Sequence, residues 1–174
     1  MDTIWAPWRI QYILGVKPEK DAAATEADPC ILCAKYKDSP DNDRRNLVLH
    51  RGEHAFILMN LYPYNTGHLM LVPYIHTGAF EELGPEVTAE MMSLMQKMIS
   101  VFRKVLKPDG FNAGINLGRV AGAGVIGHVH IHLVPRWNGD CNFMPVLGDT
   151  KIISEHIEAT YDKLKAAISS EKYF

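Results

Sequence analysis

Apolar residues arrive first in short runs and then at helical spacing. Residues 46–50 and 54–60 are rich in Val, Leu, Ile and Phe, and Arg51-Gly52-Glu53 separates them. That pattern predicts an antiparallel hairpin. Tyr62-Pro63-Tyr64-Asn65-Thr66-Gly67 predicts a turn-rich loop, and residues 68–73 a third strand. The period then changes. Val87, Met91, Leu94, Met95, Met98, Val101, Phe102 and Val105 recur at steps of three or four behind Pro85. They form the apolar stripe of one long helix, and Pro108-Asp109-Gly110 ends it. Residues 111–117 and 129–134 predict two more strands, joined by the small-residue loop 118–127. A last helix is predicted over 150–167, with Ile153, Ile157, Tyr161 and Leu164 on one side.

The strands fall into two runs around a helix instead of alternating strictly with helices. This predicts an α+β fold: an antiparallel sheet of about five strands, a long central helix and a C-terminal helix. Residues 1–29 read as an aromatic arm, with Trp5 and Trp8, followed by a polar connector; residues 30–174 read as the main domain. The polar stretch 35–45 is expected to be a loop. Met91, Met92, Met95 and Met98 are expected to fill the core.

Composition narrows the partners. A chain of 174 residues can bury a core without staples. A net charge of −2 gives no basic nucleic-acid surface. No stretch is apolar enough to cross a bilayer, and residues 1–13 lack the charged start and apolar run of a secretory signal. The expectation is a cytoplasmic protein with neither nucleic-acid nor membrane partners. Cys30, Cys33 and Cys141 make no disulfide framework, so Cys30-Ile31-Leu32-Cys33 is metal-binding or redox-active.

The densest chemistry lies in Gly127-His128-Val129-His130-Ile131-His132-Leu133-Val134-Pro135-Arg136. In a strand, side chains alternate, so the three histidines project from one face at about 6–7 Å. A row of imidazoles suits a metal site or a nucleophile flanked by donors. Neutral imidazole is a competent nucleophile near pH 7, and its neighbours can hydrogen-bond phosphate oxygens. The preceding loop, with Gly122 and Gly124, lets backbone N–H groups approach a phosphate. Isolated surface histidines do not account for strict period two flanked by apolar residues.

This segment resembles the signature of the histidine triad family. Residues 60–73, including Gly67-His68-Leu69-Met70-Leu71-Val72-Pro73, resemble that family's upstream strand–loop–strand. Trp5-Ala6-Pro7-Trp8-Arg9, and Pro135-Arg136-Trp137-Asn138-Gly139-Asp140-Cys141-Asn142-Phe143, resemble the branch containing diadenosine tetraphosphate phosphorylases. The resemblance implies that His130 attacks the α-phosphorus and forms a nucleotidyl-histidine, while His132 contacts the phosphate and assists the leaving group. It implies that Asn60 binds ribose hydroxyls and that His68 and Asn116 lie beside the phosphate. Phe56 and Leu58 would help enclose the base. Arg119, Arg136, Trp137 and Phe143 are further candidates for phosphate or nucleoside contact. It implies a structural zinc held by Cys30, Cys33, His76 and His128, with His50 a weaker alternative to His76, and it implies a homodimer. One departure is visible. Many relatives carry Gln-Ser or Gln-Thr before the triad, where this chain has Gly124 and Val125. The acceptor, water or inorganic phosphate, stays open. Three readings follow: phosphorolysis of dinucleoside polyphosphates to ATP and ADP; hydrolysis of these or of nucleoside phosphoramidates; and nucleotide-dependent regulation without turnover. A purely metal-binding module is a fourth.

Overall fold

The computed structural model describes residues 30–141, 147–148 and 153–170. Five strands form one antiparallel sheet: β1 (Val48–Arg51), β2 (Ala55–Met59), β3 (Leu69–Pro73), β4 (Gly110–Ile115) and β5 (Ile131–Arg136), in the order β1-β2-β3-β5-β4. The predicted α+β architecture is therefore present. Strand limits shift by up to two residues. The triad strand begins at Ile131 and not at Val129, and β4 stops at Ile115.

Helix α1 (Ile31–Lys37) follows Cys30, and a short helix α2 (Asp43–Asn46) precedes β1. The expected loop over 35–45 thus holds the end of α1, a 3-10 turn at Pro40–Asn42, and α2. Its polar residues hydrogen-bond to one another. The Asp38 carboxylate accepts from the Asn42 and Asn46 amides at 2.8 and 2.6 Å. The Arg51 guanidinium donates to the carbonyls of Tyr36 and Asp38 at the end of α1 and to Asp43 at the start of α2. Such side-chain bonds are invisible to apolar periodicity.

The long helix α3 (Pro85–Val105) matches its prediction, with the first-turn proline accounting for its start. Helix α4 (Ile157–Ser170) starts later than expected. Residues 153–156 are not helical, and 150–152 lie outside the described residues. The His156 ring accepts the Glu158 N–H at 3.4 Å, the position of an N-cap acceptor, and histidine is not among the usual start signals.

Period two splits the sheet into two faces. Leu49, Ile57, Leu71, Ile131 and Leu133 pack under α3 (Met91, Leu94, Met98, Phe102) and α4 (Tyr161, Leu164, Ile168). On the opposite face Val48, Phe56, Leu58 and Val72 form a smaller cluster with Leu32, Tyr36, Met70 and Tyr74. Met91 and Met98 are core, Met95 packs against it, and Met92 is exposed. His132, between Ile131 and Leu133 of the larger core, lies on the face without long helices. No helix among the described residues is long and apolar enough to cross a membrane.

Candidate functional site

Residues 60–68 form the connection between β2 and β3. Gly67 adopts φ +78°, and a Cβ there would lie 3.0 Å from Leu106 Cδ1 and 3.1 Å from Phe102 Cε1, so the turn needs glycine. The turn places the Tyr64 N–H 3.0 Å from Nδ1 of the fully buried His68. A backbone amide can only donate, so this contact settles a chain of tautomers. His68 Nδ1 is bare and its Nε2 carries the proton. Nε2–H then donates to His132 Nδ1 at 2.9 Å. His132 is left with its proton on Nε2, as a hydrogen-bond donor. Burial, and next the neighbouring His130, push the His132 pKa down to about 4, so it donates as a neutral imidazole.

His130 is fixed in the complementary sense. Its Nδ1 donates to the His128 carbonyl at 2.9 Å, which leaves the lone pair on Nε2. Burial lowers the His130 pKa, keeping that pair available at neutral pH. The ring is 4% exposed, yet no buried side-chain nitrogen or oxygen among the described residues lacks a partner. Nε2 has no hydrogen-bond partner among the described residues and is not fully enclosed. The His130 and His132 ring centroids are 4.7 Å apart. The rings lie closer than the roughly 6–7 Å expected from strand spacing, and His130 precedes β5.

His128 faces a different cluster. Its Nε2 donates to the Pro73 carbonyl at 2.8 Å, leaving Nδ1 bare. That nitrogen lies 3.4 Å from Cys30 Sγ, 3.5 Å from Cys33 Sγ and 3.4 Å from His76 Nδ1, and Cys33 Sγ lies 3.3 Å from His76 Nδ1. All four donor atoms fall within 4.8 Å of one another. A tetrahedron with Zn–S of about 2.3 Å and Zn–N of about 2.0 Å has edges of roughly 3.3–3.8 Å; the donor types, and the four separations of 3.3–3.5 Å just given, suit such a metal. The Val129 N–H to Thr77 carbonyl bond at 2.7 Å brings the two histidine segments together. His50 sits on β1, outside the cluster.

The remaining candidates are placed as follows. Asn60 is half-buried at the end of β2, its Oδ1 accepting the Tyr62 N–H. Asn116 follows β4 and reaches the Gly122 carbonyl across the 118–127 loop. Gly122, at φ +87°, and Gly124 have open space where a Cβ would stand. Val125 packs on the smaller apolar cluster. Phe56 and Leu58 are fully buried there, with Phe56 stacked on Tyr74 at 5.6 Å. Trp137 ties its indole N–H to the Leu106 carbonyl. Arg119 is exposed. Trp5, Trp8 and Phe143 lie outside the described residues. Arg136, expected as a phosphate contact, is committed elsewhere: Nε and Nη2 grip Asp140 at 2.6 and 2.7 Å, and Nη1 donates to Asn112. Sequence reading missed Tyr64, Asn65 and Asp140, because their part is played through backbone groups and buried partners.

The HIT domain family matches residues 42–139, more than half of the chain. The chain belongs to the histidine triad (HIT) family. This HIT protein is 39% identical over 163 residues to the AP-4-A phosphorylase of Mycobacterium tuberculosis, covering 92% of this chain and 80% of that one. Its fold is similar to that of a Zn-bound histidine triad family protein from Mycobacterium smegmatis, at TM-score 0.63 and 28% identity over 80% and 93% of the two chains. A hypothetical histidine triad nucleotide-binding protein from Sulfolobus tokodaii matches at TM-score 0.60 and 25% identity, covering 80% and 89%.

Proposed function

We propose that this HIT protein is a nucleotidyltransferase that cleaves dinucleoside polyphosphates by phosphorolysis, taking diadenosine tetraphosphate and inorganic phosphate to ATP and ADP. The observation that carries the reading is the opposed tautomers of two adjacent imidazoles: a lone pair on His130 Nε2 beside a proton on His132 Nε2. The similarity to the mycobacterial AP-4-A phosphorylase over most of both chains supports the substrate class.

The geometry translates into two displacements at one phosphorus. His130 Nε2 attacks the α-phosphorus, the P–O bond to the departing nucleoside polyphosphate breaks, and His132 Nε2–H hydrogen-bonds the leaving oxygen. Inorganic phosphate then attacks the nucleotidyl-histidine, the P–N bond breaks, ADP leaves, and His130 regains its lone pair. In this reading, Asn60 takes the ribose, and His68 and Asn116 support the phosphate side. Gly122 and Gly124 open the loop to phosphate oxygens, and Phe56 and Leu58 back the base. With Val125 in place of a polar side chain, backbone N–H groups carry more of the leaving-group contact.

Cys30, Cys33, His76 and His128 would hold a structural zinc, which when bound would neutralise thiolate charge and pin α1 to the sheet. A homodimer through α3 and the edge strand β4 is part of the proposal; exposed Asn112, Ala113 and Gly114 on β4 support it.

Incubation with diadenosine tetraphosphate, with and without phosphate, tests the reading. ADP appearing only with phosphate is the expected result. AMP appearing regardless of phosphate assigns the second step to water, and no turnover in either condition removes the enzymatic reading.

A further inference from the structure

We propose that Asp140 is a positioning residue for the transfer reaction, acting through Asn65 on the tautomer of His132. The proposal rests on the nucleotidyl-transfer reading above.

Asp140 lies in the turn after β5, with its side chain only 9% exposed. It is a convergence point for donors. Oδ2 accepts from Asn65 Nδ2 at 2.8 Å, Arg136 Nε at 2.6 Å and the Trp137 N–H at 3.1 Å; Oδ1 accepts from Arg136 Nη2 at 2.7 Å. The Arg136 fork holds the carboxyl well below the usual carboxylate range, so it is an acceptor on both oxygens.

Asn65 carries this anchor to the histidines. It is 8% exposed, and its amide hydrogens reach two acceptors, the Pro135 carbonyl at 3.1 Å and Asp140. Its own carbonyl accepts the His68 N–H at 3.1 Å. The preceding residue supplies the amide that donates to His68 Nδ1. The turn after β5 therefore clamps the one loop whose backbone dictates which nitrogen of His68, and hence of His132, bears the proton.

Releasing the clamp has a chemical consequence. If the Tyr64 N–H withdraws, His68 can carry its proton on Nδ1 and accept at Nε2. His132 then donates from Nδ1 and turns a lone pair on Nε2 toward the leaving oxygen. Lone pair against anionic oxygen is repulsive, so the loss falls on the chemical step. Asp140→Asn keeps the shape but replaces one acceptor with an NH2 group. That group must face another donor, from Asn65, Trp137 or Arg136.

The experiment uses full-length protein labelled with 15N-histidine, in wild type, Asp140→Asn and Asn65→Ala. Arg44→Ala is the control, because it breaks a comparable Arg–carboxylate fork on Asp162, 118 residues away in sequence and exposed. In wild type and Arg44→Ala, His132 is expected with Nδ1 bare and Nε2 protonated. In Asp140→Asn and Asn65→Ala, the Nδ1–H tautomer appears and kcat falls about tenfold, with KM changed by no more than about twofold. The proposal is overturned if either variant keeps the wild-type tautomer, whether it is fully active or merely less stable. It is equally overturned if wild-type His132 carries its proton on Nδ1, a measurement that needs no variant. Failure of wild type to turn over a dinucleoside polyphosphate strikes the transfer reading instead, and leaves the tautomer comparison to decide the link itself.

Discussion

The carbonyl of His128 accepts the Nδ1–H of His130 at 2.9 Å, while the His128 ring faces Cys30, Cys33 and His76. One residue thus belongs to the candidate metal centre by its side chain and to the candidate nucleophile by its backbone. Stripping metal with a chelator should cost both stability and turnover. With free metal a thousandfold above its Kd, removal costs about 4 kcal/mol, which is a fall in Tm of about 8–16 °C for a chain of this size. Scanning calorimetry with and without chelator, and metal content by mass spectrometry, check it. An unchanged Tm after proven metal removal would count against a structural metal.

Replacing the nucleophile is expected to be far more damaging than replacing its neighbours. His130→Ala should lower kcat by about three orders of magnitude or more, because the covalent route is lost. Alkaline quenching of wild type with substrate in the absence of phosphate should show a nucleotidyl adduct on His130 by peptide mass spectrometry. Turnover by His130→Ala at the wild-type rate would remove the mechanism.

The depressed pKa of His132 makes a prediction about stability. The unfolded ring titrates near 6.5 and the folded one near 4. Its contribution to stability is therefore fully present above about pH 6.5, and is lost as pH falls through 4. In that window the unfolded state binds more protons. The pH slope of unfolding free energy should be steeper for wild type than for His132→Gln, by as much as about one bound proton. Urea titrations at several pH values measure the difference, and parallel slopes would contradict it.

Arg51 joins the two short helices that carry and support the cysteine pair. Its side chain is 22% exposed and meets Asp43 at 2.7 Å as well as the Tyr36 and Asp38 carbonyls. Arg51→Ala should cost about 2–3 kcal/mol, the loss of charged hydrogen bonds to partners left unsatisfied. It should also weaken metal retention, because α1 bears Cys33. Chemical denaturation and metal competition assays report the two effects. Arg51→Lys should recover only part, since an ammonium cannot reproduce the fork.

The amino-acid sequence by itself determined the five strands, the long helix and the every-second-residue spacing of His128, His130 and His132. These follow from local period, 2.0 for strands and 3.6 for helices, which is written directly in the order of residues. The cysteine spacing and the three histidines announced their chemistry in the same way. Tertiary structure decided what those histidines are to one another. His76, some fifty residues from His128, meets it only because the Thr77 and Val129 segments pair. His68 and His132 touch only because β3 and β5 are neighbours in the sheet. The proton positions on these rings, and the service of Asn65 and Asp140, depend on which backbone N–H or carbonyl stands within hydrogen-bond reach. Hydrogen bonds are short-ranged and directional, so that information exists only once distant segments have been packed together.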